Sequence, residues 1–314
     1  RNFGYGHQMG YAGKQALYAR YAGGHFGTVE SYAERFDLFV AWCKDRGVRD
    51  ARQVTAEVVA GYTDHLRQRL AAGDIAVSTA YNRLGAVNEV LDAMRGDRKL
   101  HVPSLRTALG VTRRQVRTRA PDGQDTAALV PLVTELQAVG HERAAAVVQL
   151  ARHMGLRRRE AVQADLSRLQ REAAQFGRVN IQDGTKGGRR GASAPRWVTV
   201  TPAINAALAF ARAVAPKGSR NLLRSGETFK TFLDRELYPA RTVLKAHGVR
   251  TYHELRAAYA CQRYADITGH AASVNGGTLV HQDKERDRAA RLRISAELGH
   301  RREDVVAAYI GGKR

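Results

Sequence analysis

The sequence predicts a mainly α-helical protein of two domains, the second of which also holds a small antiparallel sheet. Three observations support this fold class. Apolar residues recur at steps of three and four over most of the chain, as on one face of a helix. Two short runs in the second half read as strands instead. A length of 314 residues is sufficient for two domains that each bury a core.

The first domain is expected to be a bundle of about four helices over residues 25–112. Residues 1–24 are rich in Gly, Tyr and Ala and predict a loose N-terminal arm. The first helix pattern runs from about 28 to 45, with Thr28 as a plausible N-cap. Further patterns cover 56–72, 78–94 and, more weakly, 104–111.

Residues 113–124 predict a basic linker between the domains. They have no apolar period and end in Pro121 and Gly123. Their four arginines, which we expect to contact DNA, are Arg113, Arg114, Arg117 and Arg119. The alternative is a solvated, frayed helix end.

The second domain, residues 125–314, is predicted to be mostly helical around a hairpin. The strand-like runs are 178–182 and 196–200, separated by a segment rich in Gly and Arg. The predicted helices are 127–139, 141–153, 202–214, 227–247, 251–265, 288–297 and 303–309. Pro202 is well placed to begin its helix, because proline is favoured in the first turn.

Positive charge is spread over both domains. The chain carries 51 Lys and Arg against 30 Asp and Glu, a formal net charge of +21. Residues 1–120 hold 19 basic and 11 acidic side chains, and the remainder holds 32 and 19. A charge of this size on both halves indicates a polyanion as the common partner, while a charge that serves only solubility is the plainer alternative.

Cysteine and hydropathy exclude several classes. Cys43 and Cys261 lie far apart with no CxxC spacing, so neither a disulfide scaffold nor a cysteine zinc site is expected. No apolar run is long enough to span a membrane, and no signal peptide is visible. These features favour a reducing cytoplasm.

Four motifs in the second domain could carry chemistry. They are Gly155-Leu-Arg-Arg-Arg-Glu160, Thr185-Lys-Gly-Gly-Arg-Arg190 between the two strands, His253-Glu-Leu-Arg256, and Leu298-Gly-His300 followed nine residues later by Tyr309. Each alone has an ordinary explanation, such as a solvated arginine cluster or a packed tyrosine. Their joint presence in this order is what distinguishes the sequence.

In this order the motifs resemble those of the tyrosine recombinase (phage integrase) family. The resemblance covers roughly residues 125–310, and residues 25–112 look like the family's helical core-binding (SAM-like) domain. It implies the tyrosine recombinase catalytic fold, and a site-specific recombinase that integrates or excises a mobile element. The reaction that the resemblance implies cuts and rejoins DNA through a 3′-phosphotyrosyl intermediate, with no metal and no ATP.

The resemblance also assigns roles by position. Arg157 and Arg256 correspond to the arginines that stabilise the transition state, where their planar forks of donors suit phosphoryl oxygens. Lys186 corresponds to the hairpin lysine that protonates the leaving oxygen, and His253 to the general base. His300 would hydrogen-bond the phosphate and Tyr309 would be the nucleophile. Glu160 would orient Arg157 or His253 without itself contacting the phosphate. We also expect Arg158, Arg189 and Arg190 to face DNA.

The sequence departs from the family pattern in two places. Arg256 and His300 are 44 residues apart, farther than in simpler members, and the extra stretch is about 266–291. It is either a surface insertion with a charged helix start, or an element for protein or DNA contact between protomers. His270 and His281 lack the companions of a credible metal set. No helix beyond Tyr309 can be read that would dock onto a neighbouring protomer.

The partners implied are double-stranded DNA with a specific recombination site, and copies of this chain as a dimer on each site and a tetramer during exchange. Accessory DNA-bending or directionality factors are also possible, and no membrane is involved. We expect a cytoplasmic, nucleoid-associated protein of a prokaryote. Two alternatives stay open: DNA relaxation like that of a type IB topoisomerase, and a non-catalytic DNA-binding regulator.

Overall fold

The computed structural model describes residues 1–185, 194–300 and 302–312. It divides into two compact units, Arg1–Arg114 and Gln115–Arg314. Helices dominate both, and the described residues include one two-stranded antiparallel sheet, so the predicted fold class is confirmed. Among these residues no helix combines the length and the apolar character needed to cross a bilayer.

The first unit is a helical bundle. Its helices are α1 (Met9–Arg20), α2 (Phe26–Lys44), α3 (Ala56–Ala71), α4 (Val77–Arg95) and α5 (Leu105–Leu109). Helices α1, α2 and α4 pack against one another. Phe36, Phe39, Leu66 and Leu84 are fully buried between the helices. Burial of each such side chain contributes roughly 1.5–3 kcal/mol.

The first 24 residues are not a loose arm, and that prediction was wrong. Met9, Ala12 and Leu17 of α1 are buried in the bundle core. A side chain at Gly13 would collide with Phe36 and Val90, because its Cβ would lie within 3 Å of both. The small residues that suggested a flexible arm therefore permit close helix packing. Thr28 is not the N-cap either, since α2 begins at Phe26.

The second unit is built around α7 (Glu142–Met154), which packs between α10 (Pro202–Val214) and α13 (Tyr252–Thr268). The other helices are α6 (Leu129–Ala138), α8 (Arg158–Gln163), α9 (Leu166–Phe176), α11 (Phe229–Phe232), α12 (Tyr238–Ala246), α14 (Leu279–Gln282), α15 (Lys284–Glu297) and α16 (Ala307–Ile310). A π turn, Leu233–Leu237, joins α11 to α12, and 3-10 turns span Ser273–Asn275 and Asp304–Val306.

Strands β1 (Arg178–Asn180) and β2 (Trp197–Thr199) form the antiparallel pair, with Val179 opposite Val198. Each is shorter than the sequence predicted. The interval between them holds Lys186, Arg189 and Arg190, which lie outside the described residues.

The predicted linker does not behave as one segment. Arg113 and Arg114 fall in the first unit, whereas 115–124 belong to the second. There Arg152 donates from Nε to the carbonyl of Gly123 at 2.9 Å and from Nη2 to that of Gln124 at 2.7 Å. The backbone of 123–124 is therefore fixed to α7.

Candidate active site

The turn before α8 brings Arg157 into position. Gly155 ends α7 with a φ of +63°. A Cβ there would lie 2.5 Å from a ring carbon of Tyr259, so both the left-handed backbone and the close approach require glycine. Arg157 then stands at the N-cap of α8, where its backbone N–H donates to Glu160 at 2.7 Å.

Glu160 is fully buried and lies at the centre of an arginine cluster. Its carboxylate oxygens lie 2.6 Å from Arg157 Nη1, 2.8 Å from Arg196 Nη1 and 3.5 Å from Arg256 Nη1. Burial alone would raise the pKa of this carboxyl, but the three guanidinium charges outweigh it and lower that pKa to about 2. Glu160 therefore stays ionised and holds both predicted catalytic arginines.

Arg196 is the member of this cluster that the sequence analysis did not identify. It immediately precedes β2 and is 4% exposed. Its Nε donates to the carbonyl of Glu297 at 2.6 Å, and its backbone N–H donates to the side-chain oxygen of Asn180. Within the described part of the chain, its Nη2 has no hydrogen-bond partner. No local pattern marks this arginine, because Glu160 is 36 positions away.

Arg256 joins three segments of the site. It projects from α13 and is 1% exposed. Its guanidinium donates from Nη1 to the carbonyl of Gly155, from Nη2 to that of Leu298 at 2.7 Å, and from Nε to the Tyr309 hydroxyl at 3.3 Å. Burial, with Arg196 and Arg157 nearby, lowers the pKa of Arg256 to about 10, so it stays charged at neutral pH.

The Tyr309 hydroxyl meets His300 as well. The hydroxyl lies 3.0 Å from His300 Nε2, and the same nitrogen lies 3.2 Å from Arg157 Nη2 and 3.4 Å from Arg256 Nη2. Guanidinium groups can only donate, so His300 Nε2 is the acceptor and carries no proton. Burial and the charges of Arg157 and Arg256 lower the pKa of His300 to about 4, in agreement with a neutral ring.

His253 lies beside Tyr309, the candidate nucleophile, but forms no hydrogen bond with the Tyr309 hydroxyl. Its ring centroid is 5.4 Å from that of Tyr309. Desolvation and the charges of Arg256 and Arg117 lower the pKa of His253, so its ring is neutral near pH 7. The structure thus brings Arg157, Glu160, His253, Arg256, His300 and Tyr309 together. Lys186 is not among the residues that it describes.

A cleft of about 640 Å³ opens over this cluster. Arg157, Arg196, His300 and Tyr309 line it, together with Thr185, the last described residue before Lys186. Over 1–185, 194–300 and 302–312, no three His, Cys, Asp or Glu side chains gather as a metal-binding set would. The cleft therefore offers mainly guanidinium donors, an imidazole and a phenol hydroxyl.

The predicted DNA-facing arginines fall into two groups. Arg113, Arg114, Arg119 and Arg158 are exposed. Arg117 is different, because its guanidinium donates to both oxygens of Glu254, at 2.7 and 3.1 Å, and its side chain is only 11% exposed. Its backbone N–H also donates to the carbonyl of Ala307 at 2.9 Å. Arg117 is thus not presented to a phosphate backbone in this structure.

Comparison with known proteins adds one match. No curated protein matches the chain. A family model matches part of the second unit. The matched residues include Arg157, Glu160, His253 and Arg256, and the match ends before His300 and Tyr309. Residues 115–262 match the family model described as Integrase, a match that suggests an enzyme acting on DNA in integration.

Proposed function

We propose that this chain is a tyrosine site-specific recombinase that integrates or excises a mobile element by cutting and rejoining double-stranded DNA. The observation that carries the proposal is the Tyr309 hydroxyl, which contacts both Arg256 and His300, while Arg157 contacts the same His300. A phenol is a nucleophile that leaves a covalent link behind. The guanidinium groups of Arg157 and Arg256, which lie near this hydroxyl, are suited to binding a phosphate group.

The charge of the cluster supports a phosphoryl reaction. Among the described residues, Glu160 is the one carboxylate that Arg157, Arg196 and Arg256 all contact, so positive charge is in excess there. A phosphodiester entering the cleft would offset that excess. Its transition state gathers negative charge on the nonbridging oxygens, where preorganised donors act most strongly, and loss of one such donor costs about 10²–10³ in rate.

The proton of the nucleophile goes to a histidine in this proposal. His300 Nε2 is unprotonated and already lies within hydrogen-bond distance of the hydroxyl. In the free protein it is a weak base, because burial and the charges of Arg157 and Arg256 lower the pKa of His300 to about 4. A bound phosphate anion would counter those charges and increase its basicity. The geometry favours His300 for this role over His253, which the motif alone suggested.

The chemical steps then balance. The Tyr309 oxygen attacks phosphorus and loses its proton, and the bond from phosphorus to the 5′ oxygen breaks. The 5′ oxygen takes a proton, a role we assign to Lys186 on the basis of the motif. A 5′ hydroxyl of another strand later attacks the 3′-phosphotyrosyl link and gives its proton back to Lys186, while the bond from phosphorus to Tyr309 breaks and the Tyr309 oxygen regains its proton from His300. The link retains the energy of the phosphodiester, so the exchange needs no ATP.

The proposed partners follow from this reaction. Each protomer would bind one half of a specific duplex site, two protomers would occupy each site, and four would assemble for strand exchange. Arg113, Arg114, Arg119, Arg158, Arg189 and Arg190 are the proposed phosphate contacts. Such contacts position the duplex without reading its sequence.

The test is capture of the covalent adduct. The protein is incubated with nicked duplexes of random sequence and with the DNA that flanks its gene, and denatured complexes are then isolated. We expect an SDS-resistant adduct whose nucleotide maps to Tyr309 by mass spectrometry. Tyr309→Phe should abolish it while duplex binding persists. Tyr238→Phe, an exposed tyrosine on α12, is the matched control and should cut normally.

Other outcomes would favour other functions. Adduct at wild-type level in Tyr309→Phe would remove Tyr309 from the reaction. Rapid relaxation of supercoiled plasmid without recombinant products would favour a topoisomerase. Tight duplex binding with no adduct from any DNA tested would favour a non-catalytic regulator.

A further inference from the structure

The segment 266–291, the extra stretch between Arg256 and His300, is exposed over much of its length but is more than a surface insertion. Ala272, Leu279 and Ala290 are buried and belong to the core of the second unit. Asp287 and Arg291, on α15, are each 1% exposed. Charged side chains are almost never buried to this extent unless they are paired, so these two require an explanation.

The Arg291 guanidinium is occupied on every edge. Its Nε donates to both oxygens of Asp287, at 3.0 and 2.8 Å. Its Nη2 donates to the Ser273 hydroxyl at 3.2 Å. The remaining donors reach the residues that follow Tyr309: Nη1 lies 2.9 Å from the carbonyl oxygen of Gly311, and Nη2 lies 3.4 Å from that of Gly312. Asp287 is held in turn by the Tyr264 hydroxyl at 2.7 Å.

The backbone at Gly311 fits this arrangement closely. It has a φ of +91° and a ψ of 168°, a conformation that is open essentially to glycine alone. A Cβ at Gly311 would lie 2.8 Å from the backbone nitrogen of Val274. Val274 belongs to the 3-10 turn inside the segment 266–291. The segment therefore contacts the chain just after Tyr309 in two ways. Val274 lies against Gly311, and Arg291 donates hydrogen bonds to the carbonyls of Gly311 and Gly312.

The helix that carries Tyr309 is short enough to depend on such support. Helix α16 has four residues, Ala307–Ile310. The carbonyl of Ala307 accepts from the N–H of Arg117 at 2.9 Å, and the carbonyl of Tyr309 lies 3.8 Å from Cys261 Sγ. Arg291 fixes the chain two residues beyond Tyr309. A displacement of about 1 Å at a reacting group can cost about 10²-fold in rate.

We propose that residues 273–291 form a socket for Gly311 and Gly312, and that this socket positions the Tyr309 hydroxyl against Arg256 and His300. The positioning role rests on the proposed function of Tyr309, whereas the socket itself does not. Ser273, Asp287 and Arg291 are positioning residues, because they act on the hydroxyl only through the backbone. The longer spacing between Arg256 and His300 thus provides residues that hold the chain beyond the nucleophile.

Gly311→Ala tests the proposal without replacing either member of the buried ion pair, Asp287 and Arg291. Gly218→Ala is the matched control, because Gly218 also has a positive φ, +77°, but lies outside the socket, and a Cβ there meets nothing within 4 Å. We expect Gly311→Ala to lower the rate of adduct formation at saturating DNA at least tenfold. The DNA concentration for half-maximal rate should not change. Gly218→Ala should stay within twofold of wild type.

Hydrogen–deuterium exchange gives a readout that is independent of DNA. Gly311→Ala should speed exchange in the peptide that covers 303–312 and leave α7 and α10 unchanged. Gly218→Ala should leave the 303–312 peptide protected. If the wild-type chain forms no adduct, the proposed function fails, and this measurement still decides whether the socket exists.

Two results would overturn the proposal: cleavage by Gly311→Ala at the wild-type rate, or unchanged protection of 303–312. If Gly311→Ala does not fold, Arg291→Lys replaces it, because a lysine keeps the charge facing Asp287 but lacks the planar fork that reaches two carbonyls. It should show the same loss of rate and of protection, and wild-type values for both would count against the socket.

Discussion

At the scale of single residues, Glu160 decides how the site is held together. A buried carboxylate beside three guanidiniums is expensive to desolvate, and the mutual attraction repays that cost only when the geometry is good. Here Glu160 also accepts from the Arg157 backbone at 2.7 Å, so its oxygens are well used. Removing its charge would leave Arg196 and Arg256 buried without the carboxylate they share.

We therefore expect Glu160→Gln to lower the free energy of unfolding by about 3–5 kcal/mol. The cost has a pH signature. The carboxyl titrates near its ordinary value of 4.5 in the unfolded chain and near 2 in the folded one. Its stabilisation, about 3 kcal/mol, is complete above pH 4.5 and is lost as the pH falls towards 2.

Urea unfolding between pH 7 and pH 3 checks this prediction. The difference in stability between wild type and Glu160→Gln should shrink as the pH falls below 4.5. Gln163→Glu is the control, because it also changes the charge of α8 by one unit, but at a side chain that contacts Arg159 near the surface. It should not show the same dependence on pH. A difference that stays constant down to pH 3 would mean that Glu160 is not the titrating group.

The sequence could identify the residues of the site better than their contacts. Arg157, Arg256, His300 and Tyr309 were found through motifs with fixed spacing, and the structure brings them together. The contact between His300 and the Tyr309 hydroxyl could not be read, because it depends on how the turn after Leu298 places the ring. Arg196 was missed for a similar reason: an arginine before a strand is ordinary until Glu160 is known to face it.

At the scale of elements, the segment 115–122 ties α13 to α16. Arg117 binds Glu254, the neighbour of His253 on α13, and donates from its backbone to Ala307 on α16. Arg250 reinforces the tie by donating to Asp122 at 2.8 Å and to Glu254 at 3.0 Å. The stretch predicted as a basic DNA-binding linker thus includes a structural brace for the active site.

Arg117→Gln should weaken this brace and slow cleavage about tenfold or more, because a small displacement of α16 moves Tyr309. The unfolding temperature should fall by several degrees. Arg119→Gln is the matched control, since Arg119 is 69% exposed and its nitrogen lies 3.8 Å from Asp122. Its unfolding temperature should stay at the wild-type value and its DNA affinity should drop slightly, as loss of one phosphate contact requires.

Calorimetry and single-turnover cleavage separate the two arginines. Equal effects of both substitutions on stability and on rate would show that Arg117 acts as an ordinary surface charge.

Element prediction succeeded where periodicity was clear and failed where composition concealed it. Helices α3, α4, α7 and α10 lie within a residue or two of their predicted bounds. Helix α1 was missed because Gly and Ala weaken an apolar pattern even while they allow close packing. Helix α8 was missed because its first turn holds two arginines, which resemble a solvated loop.

At the scale of the whole molecule, both units carry a large positive charge. Residues 1–114 carry a formal net charge of +6 and residues 115–314 one of +15. If both contact the same duplex, binding must release many counterions. The affinity would then reside mainly in the phosphate contacts, and cleavage in the cluster around Glu160.

Non-specific duplex binding should therefore depend steeply on salt. For six to ten phosphate contacts, the association constant falls about 10³- to 10⁵-fold between 50 and 200 mM salt. Fluorescence anisotropy with a labelled duplex gives the slope of log K against log salt. Tyr309→Phe should show the same slope as wild type, because a phenol hydroxyl releases no cation. A slope corresponding to one or two contacts would contradict an extended basic surface.

Three of the hydrogen bonds that Arg256 donates have a consequence for chains that are only partly folded. Its partners Gly155 and Leu298 lie 101 and 42 positions away along the chain, and Tyr309 lies 53 away. No single piece of the second unit can assemble these groups. A newly made or damaged chain that is only partly folded would lack the cutting site that we propose. If the chain cuts DNA as proposed, stray nicking of chromosomal strands would therefore require the complete native structure of the second unit.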